Sequence, residues 1–393
     1  MKKETMRSRE RVIRTLNHEP VDRIPIDLGS HMSTGISMFA YWHLREHLGL
    51  STGNIRVPDM VQCLAYVDPD ILERFHCDCI LLEPPFKSTM RWNPRKNYVF
   101  TIPAAANPKQ AENGDWIITH PEGSMRMPDG GLFFDGAWLS DWGSGSEDER
   151  IALYAREARR IFEETEYATN LVGYSHGLGL NDYGAGRIDD AILAGTDPQA
   201  LHARREKSLA DSIRRMGRII DAFGQHIQLV TLADDMGSQQ GPMCSPGYIA
   251  EFCMPYYKRF CAFVHAHSDI KVFLHNCGSI KPLIPMLIDA GIDVLNPVQV
   301  SADNMDPQEL KDEFGRKICF WGGGCDTQNV LGTGTPQAVA DNVRRLAGVF
   351  KPGGGFVFNQ VHNIMGNVPP ENIVAMLDTA YEHSFYGTPP GTP

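Results

Sequence analysis

Short apolar runs and helix-period stretches take turns along most of the chain. From residue 171 onward the apolar runs fall at 171–174, 227–233, 271–274, 294–297, 317–321 and 355–360. Between them lie amphipathic stretches at 197–223, 246–267, 280–290, 307–313 and 336–349, long enough and periodic enough for helices. Earlier, 24–28 and 77–82 read as two more strands, the second stopped by Pro84-Pro85, while 7–17, 38–48 and a stretch starting at 60–65 and leading toward Phe75 read as helices. Eight strands alternating with helices predict an α/β fold, a (β/α)8 TIM barrel, with an open doubly wound sheet as the second choice.

Between about 86 and 142 the pattern changes. Short alternating runs such as 98–102 and 116–119 are separated by Asn113-Gly114 and Asp129-Gly130, which are hairpin turn signals. The expectation is one barrel domain spanning 1–393 with an N-terminal helical extension and a β-hairpin flap inserted at 86–142.

Composition narrows the function classes. With 42% apolar and 22% charged residues, the 393-residue chain is of globular type. A net charge of −11 argues against nucleic acid or an anionic membrane as the main partner. No 18-residue apolar run is present, and the first residues, Met1-Lys2-Lys3-Glu4, lead a charged helix start rather than the apolar core of a signal peptide. Nine cysteines without an export signal read as thiols and ligands, and the cytoplasm is the expected location.

The chemistry concentrates where apolar runs end in glycine-rich loops. His275-Asn276-Cys277-Gly278 follows 271–274, and Gly322-Gly323-Gly324-Cys325-Asp326 follows 317–321. His275, Cys277 and Cys325 together offer one imidazole and two thiolates, a donor set that zinc accepts with a fourth position open. The competing reading is a chance pair on one strand face and a small buried core thiol. In a barrel the strand ends gather at the C-terminal face, which adds Glu83, His176, Asp234, Asp235, Gln299, His362 and Asn363 to the candidates. Asp234-Asp235 directly after an apolar run has little structural reason beyond capping. His362 is left open between a fourth zinc ligand, a substrate contact and a loop histidine.

Several extended blocks resemble the uroporphyrinogen decarboxylase superfamily, and within it the corrinoid-dependent methyltransferase branch that includes O-demethylase components. They are Arg9 to Ile13, Asn17 to Asp27, Asp234 to Pro246, His275 to Ser279, Leu295 to Gln299, Phe320 to Gly323, Asp326 to Gln328 and Val361 to Ile364. The resemblance implies a barrel with Zn2+ at its mouth, held by His275 and Cys277. Cys325 is taken as the third ligand because it supplies the second thiolate, with His362 as the competing or additional one. The decarboxylase residues do not carry over: Glu83-Pro84-Pro85 stands where the catalytic aspartate is expected, and loop 29–35 has no arginine.

The function so implied is methyl transfer from a small methylated donor to the Co(I) of a separate corrinoid protein. An aryl methyl ether is the first choice of donor. Asp234, Asp235 and His362 are the expected catalytic groups. Glu83, Met236, Tyr174, His176, Gln299, Trp321 and Asn363 are the expected substrate contacts, with Met32, Met38 and Phe39 as further apolar lining. Cobalamin would come on the partner, since the chain lacks an Asp-x-His-x-x-Gly motif. The alternatives are a metal-free decarboxylase, methyl transfer from a corrinoid protein to a thiol, and a binding partner of a corrinoid module without turnover. The oligomeric state stays open, a homodimer being one option.

Overall fold

In the computed structural model, which describes residues 4–121, 123–137, 142, 145–173, 180 and 188–386, seven parallel strands lie side by side in chain order. They are Cys79–Leu81, Ala168–Val172, Leu229–Ala233, Lys271–His275, Val294–Asn296, Cys319–Trp321 and Phe356–Val357. Each strand pairs in parallel with the next one in sequence. Parallel neighbours need a crossover connection, so all seven C-terminal ends share one end of a curled, TIM-barrel-like sheet.

The eighth expected strand, 24–28, contributes one bridge rather than a ladder. Ile26 pairs in parallel with Phe358; Asp27 N–H donates to the Phe358 carbonyl at 2.9 Å and Phe358 N–H donates to the Pro25 carbonyl at 2.8 Å. On the other side Asp78 N–H donates to the Ile26 carbonyl at 2.7 Å, so the segment touches both outer strands and closes the ring. Pro25 has no N–H to give, and the Ile26 N–H goes to the Asp78 carboxylate at 2.8 Å instead of to a strand. That is why the ladder stops.

Side chains alternate across each strand, so every second residue points inward. The interior so formed packs Cys79, Ala168, Leu229, Phe273, Val294, Cys319, Trp321 and Val357 against Val12 and Leu16 of the helix Ser8–Leu16, which plugs the N-terminal end. Burying each large apolar side chain is worth about 1.5–3 kcal/mol. The same alternation leaves His275 and Asn296 as the inward residues at the C-terminal ends of their strands.

Two expected helices come out differently. The stretch 246–267 is two helices, Pro246–Phe252 and Met254–His267, because Pro255 cannot donate to the carbonyl of Glu251 and its ring clashes there. Residues 60–65 form a turn: the Asp59 carboxylate accepts from Val61 and Gln62 N–H, Cys63 sits at φ 54°, and the helix begins only at Pro69–Arg74. In the expected flap, Lys109–Gln110, Trp116–His120, Gly123–Met127 and Asp135–Gly136 make an antiparallel sheet, with Gly114 and Gly130 at positive φ in its turns. Thr89–Trp92 and Phe100–Pro103 pair separately, and Ile55–Arg56, from outside that stretch, joins them. No helix among the described residues is long and apolar enough to cross a membrane.

The closing segment is clamped electrostatically. Asp78, fully buried, accepts from Arg11 at 2.6 Å and from Arg23 at 2.7 Å, and Arg11 also donates to Asp22 at 2.7 Å. Burial works against the charged form of Asp22, but bonds from Arg11 and from the N–H groups of Thr5 and Met6 outweigh it and hold its carboxyl well below the usual range.

Two predictions follow from the clamp. Asp78→Ala leaves two buried guanidiniums without their shared partner and is expected to cost roughly 3–5 kcal/mol in urea unfolding; an unchanged midpoint would show that the clamp does not hold the ring shut. The contribution of Asp22 is present above its unfolded pKa of about 3.9 and is lost as pH falls below it. Arg11→Met is therefore expected to flatten the acid limb of the stability profile.

Candidate metal centre

His275 closes its strand, paired in register with Ala233 on one side and Asn296 on the other. Its Nδ1 lies 2.9 Å from Asn296 Oδ1, and its Nε2 lies 3.6 Å from Cys277 Sγ. Cys277 sits in a tight turn. Gly278, at φ +86°, packs so closely on Gly237 that a Cβ would run into that backbone. Cys277 N–H donates to Asp235 Oδ1 at 2.9 Å and Gly278 N–H to Gln299 Oε1 at 2.8 Å. The loops after two neighbouring strands thus fix the thiol from both sides.

His362 arrives from the loop after the last strand. It adopts φ 59°, a strained choice for a residue other than glycine, and Gln360 Nε2 donates to its carbonyl at 2.7 Å. Its ring stands 5.4 Å from that of His275, at 61°. One ligand atom from each of His275, Cys277 and His362 lies within 4.8 Å of the other two. Burial, and then the nearby His275, push His362 down to about 4, so its imidazole is neutral and keeps a lone pair at neutral pH. Burial pushes the Cys277 thiol up, and the Asp235 carboxylate adds to this. A divalent cation would reverse that shift, since a coordinating thiol loses its proton.

The other expected ligand is elsewhere. Cys325 is fully buried in the apolar core, with Sγ 4.0 Å from the Asp326 carbonyl, and it does not belong to the group. The turn through Gly322 and Gly323, both at positive φ, and Gly324 pressed on the Phe358 ring lead the backbone into Cys325, which is packed in the core. His362, read from the sequence as the competing or additional ligand, is the residue that stands with His275 and Cys277.

Of the acidic candidates, Asp235 stands at the group, its Oδ1 3.8 Å from His275 Nε2 and its side chain 55% exposed. Asp234 turns aside: its N–H donates to the His275 carbonyl, and its carboxylate accepts from Tyr257 Oη at 2.9 Å. Glu83 is buried, and its charge is felt by Asp59 and Tyr154. Gln299 braces the Cys277 turn. Asn363 spends its amide on the Gly35 N–H, the Met32 carbonyl and Gln62. Trp321 and Met236, 1% and 0% exposed, offer no surface to a ligand; the indole donates to Asp27 at 2.9 Å inside the barrel. Met32, Met38 and Phe39 are likewise core. Tyr174 and His176 lie outside the described residues. The sequence reading missed Asn296, Gln360 and Ser33; a polar residue ending the apolar run Val294-Leu295 was the available signal for the first.

Residues 192–383 match the family model for uroporphyrinogen decarboxylase (URO-D). The uroporphyrinogen decarboxylase of Pseudoalteromonas atlantica is 26% identical over 199 residues, covering 49% of this chain and 51% of that protein. That of Nostoc punctiforme is 28% identical over 199 residues, covering 50% and 51%. The chain thus spans about half the length of the curated relatives it matches. Among solved structures, a methyltransferase from Methanosarcina mazei shares the fold with a TM-score of 0.58 at 14% identity, over 96% of this chain and 99% of that one.

The burial pattern is directly checkable. In native protein treated with a chelator, a small alkylating reagent is expected to modify the half-buried Cys277 and Cys244 and to spare the buried cysteines, Cys325 included. The Cys277 rate should climb steadily with pH because its thiol is hard to ionise. Peptide mapping that found Cys325 modified as fast as Cys277 would contradict the placement of both.

Proposed function

We propose that the chain, whose residues 192–383 match the family model for uroporphyrinogen decarboxylase, is a zinc-dependent methyltransferase of that superfamily. It takes a methyl group from a small methylated donor, an aryl methyl ether by preference, and delivers it to the Co(I) of a separate corrinoid protein in the cytoplasm. The observation that carries this reading is the convergence of His275, Cys277 and His362 at the C-terminal end of the strands.

The donor set fits the metal. Two imidazoles and one thiolate suit borderline-soft Zn2+, and three protein ligands leave a position for substrate. Bound there, Zn2+ would supply a Lewis acid for the donor's heteroatom, whose developing negative charge is what makes an ether oxygen a poor leaving group. The chain's own residues set the conditions. The Asp235 carboxylate anchors the Cys277 backbone, and the Tyr257 hydroxyl and the His275 carbonyl hold Asp234 beside the site. His275 is buried, while Cys277 and His362 are half-buried, so the open side of the group stays within reach of a ligand.

Decarboxylation, the activity named for the curated relatives, is the competing reading. Loop 29–35, which reaches the site, carries no arginine to hold a polycarboxylate.

Metal analysis of wild type beside Cys277→Ala, His362→Ala and Cys325→Ala separates these readings. About one zinc per chain is expected in wild type and in Cys325→Ala, and none in the other two. Demethylation of an aryl methyl ether with a Co(I) corrinoid protein should follow the metal. A metal-free wild type that decarboxylates uroporphyrinogen would overturn the proposal.

A further inference from the structure

We infer that Asn296, seated by Ser33 of loop 29–35, is the positioning residue that presents Nε2 of His275 to the metal. The inference rests on the zinc reading above for its consequence, but its geometry stands on its own.

Asn296 is fully buried at the end of its strand. Its Nδ2 donates to the Trp321 carbonyl at 3.0 Å, which settles the orientation of the amide. Oδ1 therefore faces the other way, 2.9 Å from His275 Nδ1 and 2.7 Å from Ser33 Oγ. An amide oxygen has no hydrogen to give, so both neighbours must donate to it. Nδ1 of His275 therefore carries a hydrogen, and with a single ring hydrogen the lone pair is left on Nε2, the nitrogen that faces Cys277.

Ser33 lies 263 residues before Asn296, in the part of the chain outside the family match. The loop that carries it also supports the second imidazole. Gly35 N–H donates to Asn363 Oδ1 at 2.7 Å, Ile364 N–H donates to the Gly35 carbonyl at 2.9 Å, and Gln360 Nε2 reaches the Thr34 and Gly35 carbonyls as well as that of His362. The loop is itself fixed: Ser30 N–H donates to Asp27 at 3.0 Å, and Gly29, at φ +82°, donates to the Thr34 carbonyl at 2.8 Å. One loop from the N-terminal half thus sets the attitude of both imidazole ligands.

The test uses the full chain, with zinc affinity from chelator competition and the His275 tautomer from ring 15N shifts of the zinc-free protein. Asn296→Ala is expected to weaken zinc binding about 10–100-fold and to mix the tautomers. Ser33→Ala should weaken binding less, and the double variant no more than Asn296→Ala alone, because Ser33 acts through Asn296. Asn296→Asp, which keeps an acceptor against Nδ1, should restore most of the affinity. Wild-type affinity in Asn296→Ala, or additive losses in the double variant, would overturn the inference. So would a proton on Nε2 in the wild type. If Asn296→Ala fails to fold, Ser33→Ala and the wild-type tautomer decide. A wild type that binds no zinc sinks the zinc reading, and the tautomer then decides the role of Asn296 by itself.

Discussion

Asp78 is closed off from the surface, with two guanidiniums against it and the N–H of Ile26 on the same carboxylate. Arg11 comes from the helix that plugs the barrel, Arg23 from the start of the closing segment, and Asp78 from the edge of the first strand. Their attraction, strengthened by exclusion from solvent, is what joins three pieces of chain that no ladder joins. Without that closure the sheet would have two open edges, and the last strand would have no neighbour beyond Phe358.

Closure matters for chemistry because it fixes where strand ends meet. His275 pairs with Asn296 through the ladder, but His362 comes from the loop after the final strand and reaches the site only when the ring is shut. The remaining geometry is steric. Gly278 against Gly237 and the strained φ of His362 bring backbone and imidazole closer than ordinary residues in ordinary conformations allow.

Much of this was legible in the sequence. Apolar runs located the strands, and His275 with Cys277 stood out because soft ligands followed a strand and preceded glycine. Which of Cys325 and His362 stands near His275 was not legible, since composition makes Cys325 the better thiolate donor while only the folded chain packs it into the core and brings His362 to His275. Trp321 and Met236 were misread for a related reason: a large side chain at a strand end is equally suited to filling a barrel and to lining its mouth, and only the pleat decides. Proline explains two of the three boundary errors, Pro25 by ending a ladder and Pro255 by splitting a helix; the turn at 60–65 is set by the Asp59 carboxylate. Asn296 escaped notice because its role depends on which way an amide faces, and that is set by a carbonyl 25 residues away.

The bridge between Ile26 and Phe358, reinforced by Asn359 Nδ2 on the Asp27 carbonyl, ties together segments 332 residues apart. During synthesis the segment around Ile26 leaves the ribosome 332 residues ahead of its partner. For most of that interval the first strand presents an unpaired edge and the interior lacks its final wall. Long-range closure of this kind is slow, because the loop entropy must be met before the contact rewards it. A product truncated between Cys277 and His362 would therefore carry His275 and Cys277 but never the assembled group.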